Sequence, residues 1–331
     1  MVTQINIFGQ AEESHHPLEI LANRKVDPNM PVVVAYGGGK NSTAMLVLMW
    51  RLGIKPDLIL FADTGGELPE TYEYMRGFNR WLASVGMPEI VTVRRSLTGV
   101  SETRRVIVYA KSAYYSLLRW GLIGADMLDA IAYVVWLWAV SSMQYETLEQ
   151  HALITQTLPS VAYNKKACSK QWKVEPQEEY ITQWKRDRGY QGKIRKFIGI
   201  HSGELRRIMG NPQKLEDKDC VYEYPLITHK LDDWGCVQLI SAVGLPVPPK
   251  SSCFFCPNRR VKEVMNLPEE LKMRGMLIET VAMNSPGWRG EAAIAKGLGR
   301  TFAWRDIGAM TELEMLAVDF RKESRMCGCM E

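Results

Sequence analysis

Little in this chain commits it to a membrane or to export. Its most apolar stretch, Met127 to Met143 ("MLDAIAYVVWLWAVSSM"), has too few charge-free residues to match the roughly 20 that cross a bilayer. Asp126 and Asp129 close its N-terminal side, so a buried helix is expected. No basic start followed by a long apolar core opens the sequence, so no signal peptide is expected and a cytoplasmic location is. Neither sign of charge dominates: a net charge of +4 requires no polyanionic partner and excludes none. Internal repeats and low-complexity tracts are absent. What remains, 331 residues with 46% hydrophobic and 24% charged, is the composition of a globular enzyme.

The first ordered pattern lies in "VVVAYGGGKNSTAML", residues 32 to 46. A β-branched run suits a buried parallel strand, and the glycines after it lead into helical spacing that ends near Gly53. "DLILFAD" is a second buried strand, "PETYEYMRGFNRWLASVG" a helix opened by Pro69, and "EIVTVRR" a third strand. This β-α-β-α-β order predicts a parallel sheet covered by helices on both faces. Residues 1 to 30 read as an irregular arm and residues 31 to 240 as the α/β domain. A mostly helical insertion is expected between about residues 96 and 190, with a return to the sheet at "KFIGI". Residues 241 to 331 form a Cys- and Arg-rich C-terminal region.

The glycine turn matches neither the Walker pattern nor the dinucleotide G-x-G-x-x-G. Glycines let backbone N–H groups approach an anion, and a helix N-terminus favours negative charge. Lys40 adds a mobile cation, and Ser42 and Thr43 add hydroxyls, so the turn suits a phosphate; a plain tight turn is the alternative. "FADTGGELPETYEYM" places Asp63, Thr64 and Gly65 at the end of the next strand, so that both loops are expected on one crevice. Asp63 is a candidate acceptor for ribose or adenine donors, and Thr64 a cap or phosphate contact. Arg94 and Arg95 follow the third strand, and Arg206 and Arg207 follow "KFIGI". Arginine forks suit phosphate and sulfate, although exposed pairs also serve solubility. His201 is a candidate phosphate donor or proton carrier, or a packed histidine.

Seven cysteines without an export signal suggest thiols that bind metal or do redox work. Cys253 and Cys256 in "SSCFFCPNRR" have the spacing with which two thiolates share one metal or cluster. Cys168, with Cys327 or Cys329, would complete four ligands. A [4Fe–4S] cluster and Zn²⁺ both fit, and buried free thiols are the alternative, which suits Cys220 and Cys236.

"GGGKNS" resembles the S-G-G-x-D-S loop of the PP-loop ATP pyrophosphatases, and "DTGGELPET" resembles the D-T-G-x-x-F-P-E-T of the phosphoadenosine phosphosulfate (PAPS) reductase family. "GIHSGELRR" and "YPLITHKLDDW" are similar to that family's G-I-R-x-x-E-S-x-R-R and Y-P-L…W segments. "LPSVAYNKKACSKQWKVEP" and "SSCFFCPNRR" resemble a branch often seen in phage and mobile elements. The resemblance runs in order from about Pro31 to Arg260. Gly37 stands in place of the family's first serine and Asn41 in place of its aspartate, which keeps a hydrogen-bonding shape and loses a charge.

The resemblance implies a Rossmann-like α/β/α sandwich of the PP-loop (HUP) type. It implies nucleotide contacts from Tyr36, Gly37, Gly38, Gly39, Lys40, Asn41, Ser42, Thr43, Asp63, Thr64, Gly65 and Arg94. Lys40, His201, Glu204, Arg206 and Arg207 would be catalytic. The implied reaction is cleavage of ATP to AMP and pyrophosphate, usually with Mg²⁺, to activate an acceptor for sulfur transfer; a sulfur donor or thiol reductant would be the partner. An iron–sulfur cluster is associated with the cysteines of the resembling branch. One alternative is reduction of an adenylylated sulfate such as PAPS with Cys327 as nucleophile, although "RMCGCME" keeps only the Cys-Gly of that family's E-C-G-[LI]-H tail. Another is a nucleic-acid-associated or defence module on the same fold, with the basic C-terminal runs contacting a polyanion. A homo-oligomer is compatible with each.

Overall fold

The structure, a computed structural model, describes residues 3–5, 11–13, 21, 24–95, 147–159, 167–208, 215–283, 296–316 and 318–319. Most of the expected helical insertion, the apolar segment 127–143, and Cys327 and Cys329 lie outside the described residues. The chain divides into two compact units. The first comprises Met1–Phe61, Pro69–Thr92 and Tyr180–Ser251, the second Ala62–Leu68, Val93–Glu179 and Ser252–Glu331.

Within the segment expected as an irregular arm, β1 (Thr3–Ile5) and β2 (Ala11–Glu13) pair antiparallel, Thr3 opposite Glu13. The main sheet has five parallel strands: β3 (Val32–Tyr36), β4 (Leu58–Ala62), β5 (Ile90–Val93), β6 (Ile194–Ile198) and β7 (Cys220–Glu223). Their spatial order is β5-β4-β3-β6-β7. The chain therefore leaves β3 in one direction through β4 and β5, and returns on its other side through β6 and β7. The order reverses between β3 and β6, and ligands of open α/β sheets bind beyond the carboxyl ends of strands at such a reversal. In register, Ala35 lies opposite Ile198, so β3 and β6 end almost level.

All five residues of β4 are buried, the near-continuous apolar run of a strand covered on both faces. The helix Lys40–Arg51 is likewise buried from Ser42 to Met49. It packs against the helices Pro225–Thr228 and Asp233–Ser241. The core it fills includes Val34, Phe61, Phe78, Phe197 and Ile240, with Tyr36 stacked on Phe78 at 5.6 Å. Burial of each large apolar side chain of this kind contributes about 1.5–3 kcal/mol.

The second unit has its own core, built on Trp172, Phe254, Phe255, Ile278, Phe302 and Trp304. The helix Leu148–Thr155 enters through a capping box: Thr147 Oγ1 accepts from Gln150 N, and the Gln150 side chain accepts from Thr147 N. Glu279, fully buried on the helix Glu269–Met283, accepts from the N–H groups of Leu298, Trp304 and Arg305 at 2.7, 2.8 and 3.1 Å. A wider π-helical turn at Lys170–Val174 carries Trp172 and Lys173. Among the described residues no helix is long and apolar enough to cross a membrane.

One close approach in the first unit fixes the loop geometry. A Cβ on Gly199, the residue after β6, would lie 2.8 Å from the Cα and N of Ser42 and 2.9 Å from the carbonyl carbon of Asn41. Only glycine lets the helix N-terminus sit against the end of β6. Gly199→Ala is therefore expected to cost about 1–3 kcal/mol, read as a lower midpoint in urea with an unchanged slope.

Candidate functional site

β3 delivers the chain into Gly37–Gly39, and the helix begins at Lys40 with Gly39 as its N-cap. Gly38 turns the loop with φ +74°, and a Cβ there would crowd Thr71, Phe61 and Ser251 at 3.1–3.3 Å. No side chain caps this helix and its first turn holds no acidic residue. The positive end of its dipole and the N–H groups of its first turn, which have no intrahelical acceptor, are therefore not answered from within the helix. The two expected hydroxyls are used inside the loop. Ser42 Oγ accepts from Gly37 N at 3.2 Å and donates to Gly39 O at 3.0 Å. Thr43, fully buried, shares a hydrogen bond with the Tyr36 hydroxyl at 3.2 Å. Burial pushes the Tyr36 and Tyr74 phenols up, the latter to about 12, so both act as neutral hydroxyls. Tyr36 itself is 1% exposed and belongs to the wall of the core.

Around the helix start, the turn Ser202–Arg207 that follows β6 brings together the remaining expected residues. Glu204 is the hub. Its Oε2 accepts from Asn41 Nδ2 at 3.0 Å and its Oε1 from Arg207 Nη1 at 3.0 Å. His201 Nδ1 accepts from Gly203 N at 3.1 Å, which leaves Nε2 facing Glu204 Oε2 at 3.6 Å and Asp233 Oδ1 at 3.9 Å. Lys40 Nζ lies 2.6 Å from Asp233 Oδ1. Arg206 stands exposed on the same turn. Lys40, Asn41, His201, Glu204 and Arg207, with Asp233 joining Lys40 to His201, thus form one connected polar cluster at the reversal of strand order, with Glu204 and Asp233 set against Lys40 and Arg207.

Three further residues complete this site, and each lies within a sequence motif that does not by itself assign it a role. Asp233 comes from "YPLITHKLDDW", where Asp232 caps a helix and Asp233 opens it. Ser251 Oγ donates to Gly37 O at 2.5 Å and closes the glycine loop from outside. Gly199 sits between strand and turn in "KFIGIHSG".

The second unit holds the other expected residues. Asp63, 3% exposed, accepts at Oδ2 from Arg94 Nε and Nη2 at 3.0 and 2.6 Å, and at Oδ1 from Gly65 N at 2.8 Å. Its carboxylate holds the loop and aims Arg94, whose side chain is half exposed. Gly65 has φ +72°, and a Cβ there would collide with Thr147. Thr64 Oγ1 lies 3.1 Å from Cys253 Sγ. The cysteine turn is closed by Cys256 N donating to Cys253 O at 3.0 Å and braced by the buried Arg259, whose Nε donates to Cys253 O. Phe254 N donates to Gly66 O at 2.7 Å, and Glu67 bridges to Cys253.

Beside this turn, Lys173 Nζ pairs with the buried Glu67 at 2.9 Å. Burial alone would lower the Lys173 pKa, but the charge and hydrogen bond of Glu67 oppose it and hold the ammonium protonated. Burial pushes the Cys253 thiol up to about 12, only partly opposed by Lys173. Neither Glu67 nor Lys173 stands out in the sequence, because the pair forms across 106 residues.

Cys168 packs against the same apolar core as Cys253 and Cys256. Among the described residues, no three His, Cys, Asp or Glu side chains are grouped to hold a metal ion. Of the expected thiolates, Cys168, Cys253 and Cys256 are among the described residues, and Cys327 and Cys329 are not.

Two measurements follow from this unit. With its thiol held at about 12, Cys253 carries on the order of 10³-fold less thiolate than an ordinary cysteine; mass spectrometry after iodoacetamide at pH 8 is expected to find Cys253 alkylated far more slowly than Cys256. His151, edge-on to Trp172 at 5.6 Å, is held down at about 4 by burial and then by Arg95. Its ordinary value is 6.5, so the unfolded chain takes up a proton that the folded one refuses. Stability from this residue is complete above pH 6.5 and is lost as pH falls toward 4, by up to about 3 kcal/mol. His151→Gln is expected to flatten that acid limb in urea titrations at pH 7 and pH 5. No protein-family model and no curated protein matches this chain, and the chemistry of these two clusters is what speaks to its function.

Proposed function

We propose that the chain binds an adenine nucleotide at the glycine loop and cleaves ATP between the α- and β-phosphates, activating an acceptor for sulfur transfer. The reading follows the resemblance to PP-loop ATP pyrophosphatases and PAPS reductases. The observation that supports it is the convergence of Lys40, Asn41, His201, Glu204 and Arg207 at the level ends of β3 and β6, around a helix N-terminus that no acidic residue of its own neutralises. Phosphoryl chemistry depends mainly on positioning and on charge placed in advance, and these groups supply both.

In this reading the N–H groups of the glycine loop and of the first helical turn hold the departing pyrophosphate, and Lys40 adds a point charge. Ser42 and Ser251 act on the loop's shape through Gly37 and Gly39. Arg207 and His201 face the reacting phosphate, with Glu204 positioning Arg207 and Asn41. Mg²⁺ enters with the nucleotide's phosphates. Asn41 fits this arrangement better than an aspartate, since it donates to Glu204 where a second carboxylate would repel it. The thiol pair Cys253 and Cys256 is the proposed place of sulfur chemistry or metal binding.

Removing one charged donor from a site of this kind lowers turnover about 10²–10³-fold. Lys40→Met is expected to lose pyrophosphate release from ATP by that factor while keeping the wild-type unfolding midpoint. Equal release by wild type and Lys40→Met would sink the reading.

A further inference from the structure

We propose that Asp233 is a displaceable occupant of the anion site, so that a phosphate-bearing ligand reaches Lys40 only by displacing the chain's own carboxylate. The inference rests on the anion-binding reading of the glycine loop and adds how access to that site is controlled. Three observations carry it.

Asp233 Oδ1 lies 2.6 Å from Lys40 Nζ, the first residue of a helix whose own first turn offers no acid. The same oxygen faces His201 Nε2 at 3.9 Å. A carboxylate oxygen therefore sits where two of the proposed phosphate donors point. Second, the cap of its own helix does not depend on Asp233. Its helix is capped by the preceding residue, Asp232, whose Oδ1 accepts from Gly235 N at 2.7 Å. Third, the Asp233 side chain is 64% exposed against 26% for Lys40, so it can swing into solvent without opening a cavity. The other acid of the cluster also faces His201 but differs on the second and third counts: Glu204 is mostly covered and ties Asn41 to Arg207.

An exposed ion pair is weak, and a single carboxylate competes poorly with a ligand that brings several negative charges. The arrangement therefore keeps Lys40 and His201 answered while the site is empty, and yields to a di- or triphosphate more readily than to a monoanion. Because the pair is weak, its removal is worth about two- to five-fold in affinity and no more.

The test is calorimetric titration of inorganic pyrophosphate at fixed ionic strength into the wild-type chain, Asp233→Asn, Asp219→Asn, Lys40→Gln and the double variant Lys40→Gln, Asp233→Asn. Asp219 is a similarly exposed acid of the same unit with its own partner, Lys218, and controls for a general change of charge. The expected result is binding two- to five-fold tighter in Asp233→Asn, no change in Asp219→Asn, and loss of the gain when Lys40 is Gln. Wild-type binding that Asp233→Asn leaves equal or weaker overturns the proposal and spares the anion-binding reading. A gain of equal size in Asp219→Asn, or one that persists with Lys40→Gln, also overturns it. Absence of pyrophosphate binding in every variant overturns both.

Discussion

The backbone contact between Gly199 and the start of the helix Lys40–Arg51 is the constraint on which the first unit's polar cluster depends. Parallel pairing brings β3 and β6 to the same level, and the missing side chain at Gly199 allows the helix to begin directly against the exit of β6. With any larger residue, the turn Ser202–Arg207 would stand off from Asn41. Glu204 could then no longer join Asn41 to Arg207 with two bonds of 3.0 Å. The chemistry at this edge is thus a consequence of strand register and of one glycine, before any charged residue is considered.

Carboxylates in this chain divide by burial into those that must be paired and those that need not be. Glu67 and Asp63 have side chains 0% and 1% exposed, and each holds a cation at the surface, Lys173 and Arg94. Removing either cation would take the opposite charge away from a buried carboxylate, the kind of change that costs about 3–5 kcal/mol. Those pairs are structural elements of the second unit. Asp233 is the reverse case, an exposed acid on a better covered lysine, where separation costs little.

The regular elements were legible because their patterns are local. Apolar runs marked β3, β4, β5 and β6 to within a residue or two, and Pro69, Gly53 and Gly86 marked helix ends, the two glycines both with positive φ. The glycine loop and the residues of "GIHSGELRR" were legible as chemistry for the same reason. What could not be read was direction. Ser42 and Thr43 are hydroxyls in the right place, but one bonds within the loop and the other points at Tyr36. Asp63 was readable as an acid at a strand end, yet its oxygens are taken by Arg94 and Gly65. Contacts of long sequence separation left no local trace: Ser251 with Gly37 across 214 residues, Asp233 with Lys40, and Lys173 with Glu67.

Asn41 ties these points together. An aspartate at that position would set a second carboxylate against Glu204, and the first unit's cluster would then carry three acids against Lys40, Arg207 and His201. With asparagine, two acids remain, and one of them, Asp233, is free to leave. Once it swings away, Lys40 and Arg207 are opposed only by Glu204, whose oxygens stay engaged with Asn41 and Arg207. In the proposed exchange the cluster would gain one net positive charge beside the positive end of a helix, where an anion is favoured. In the proposed reading, asparagine at position 41 is therefore compatible with anion binding, since it leaves Glu204 engaged by a donor. The acid that remains beside Lys40 is Asp233, an exposed side chain that does not belong to the helix Lys40–Arg51.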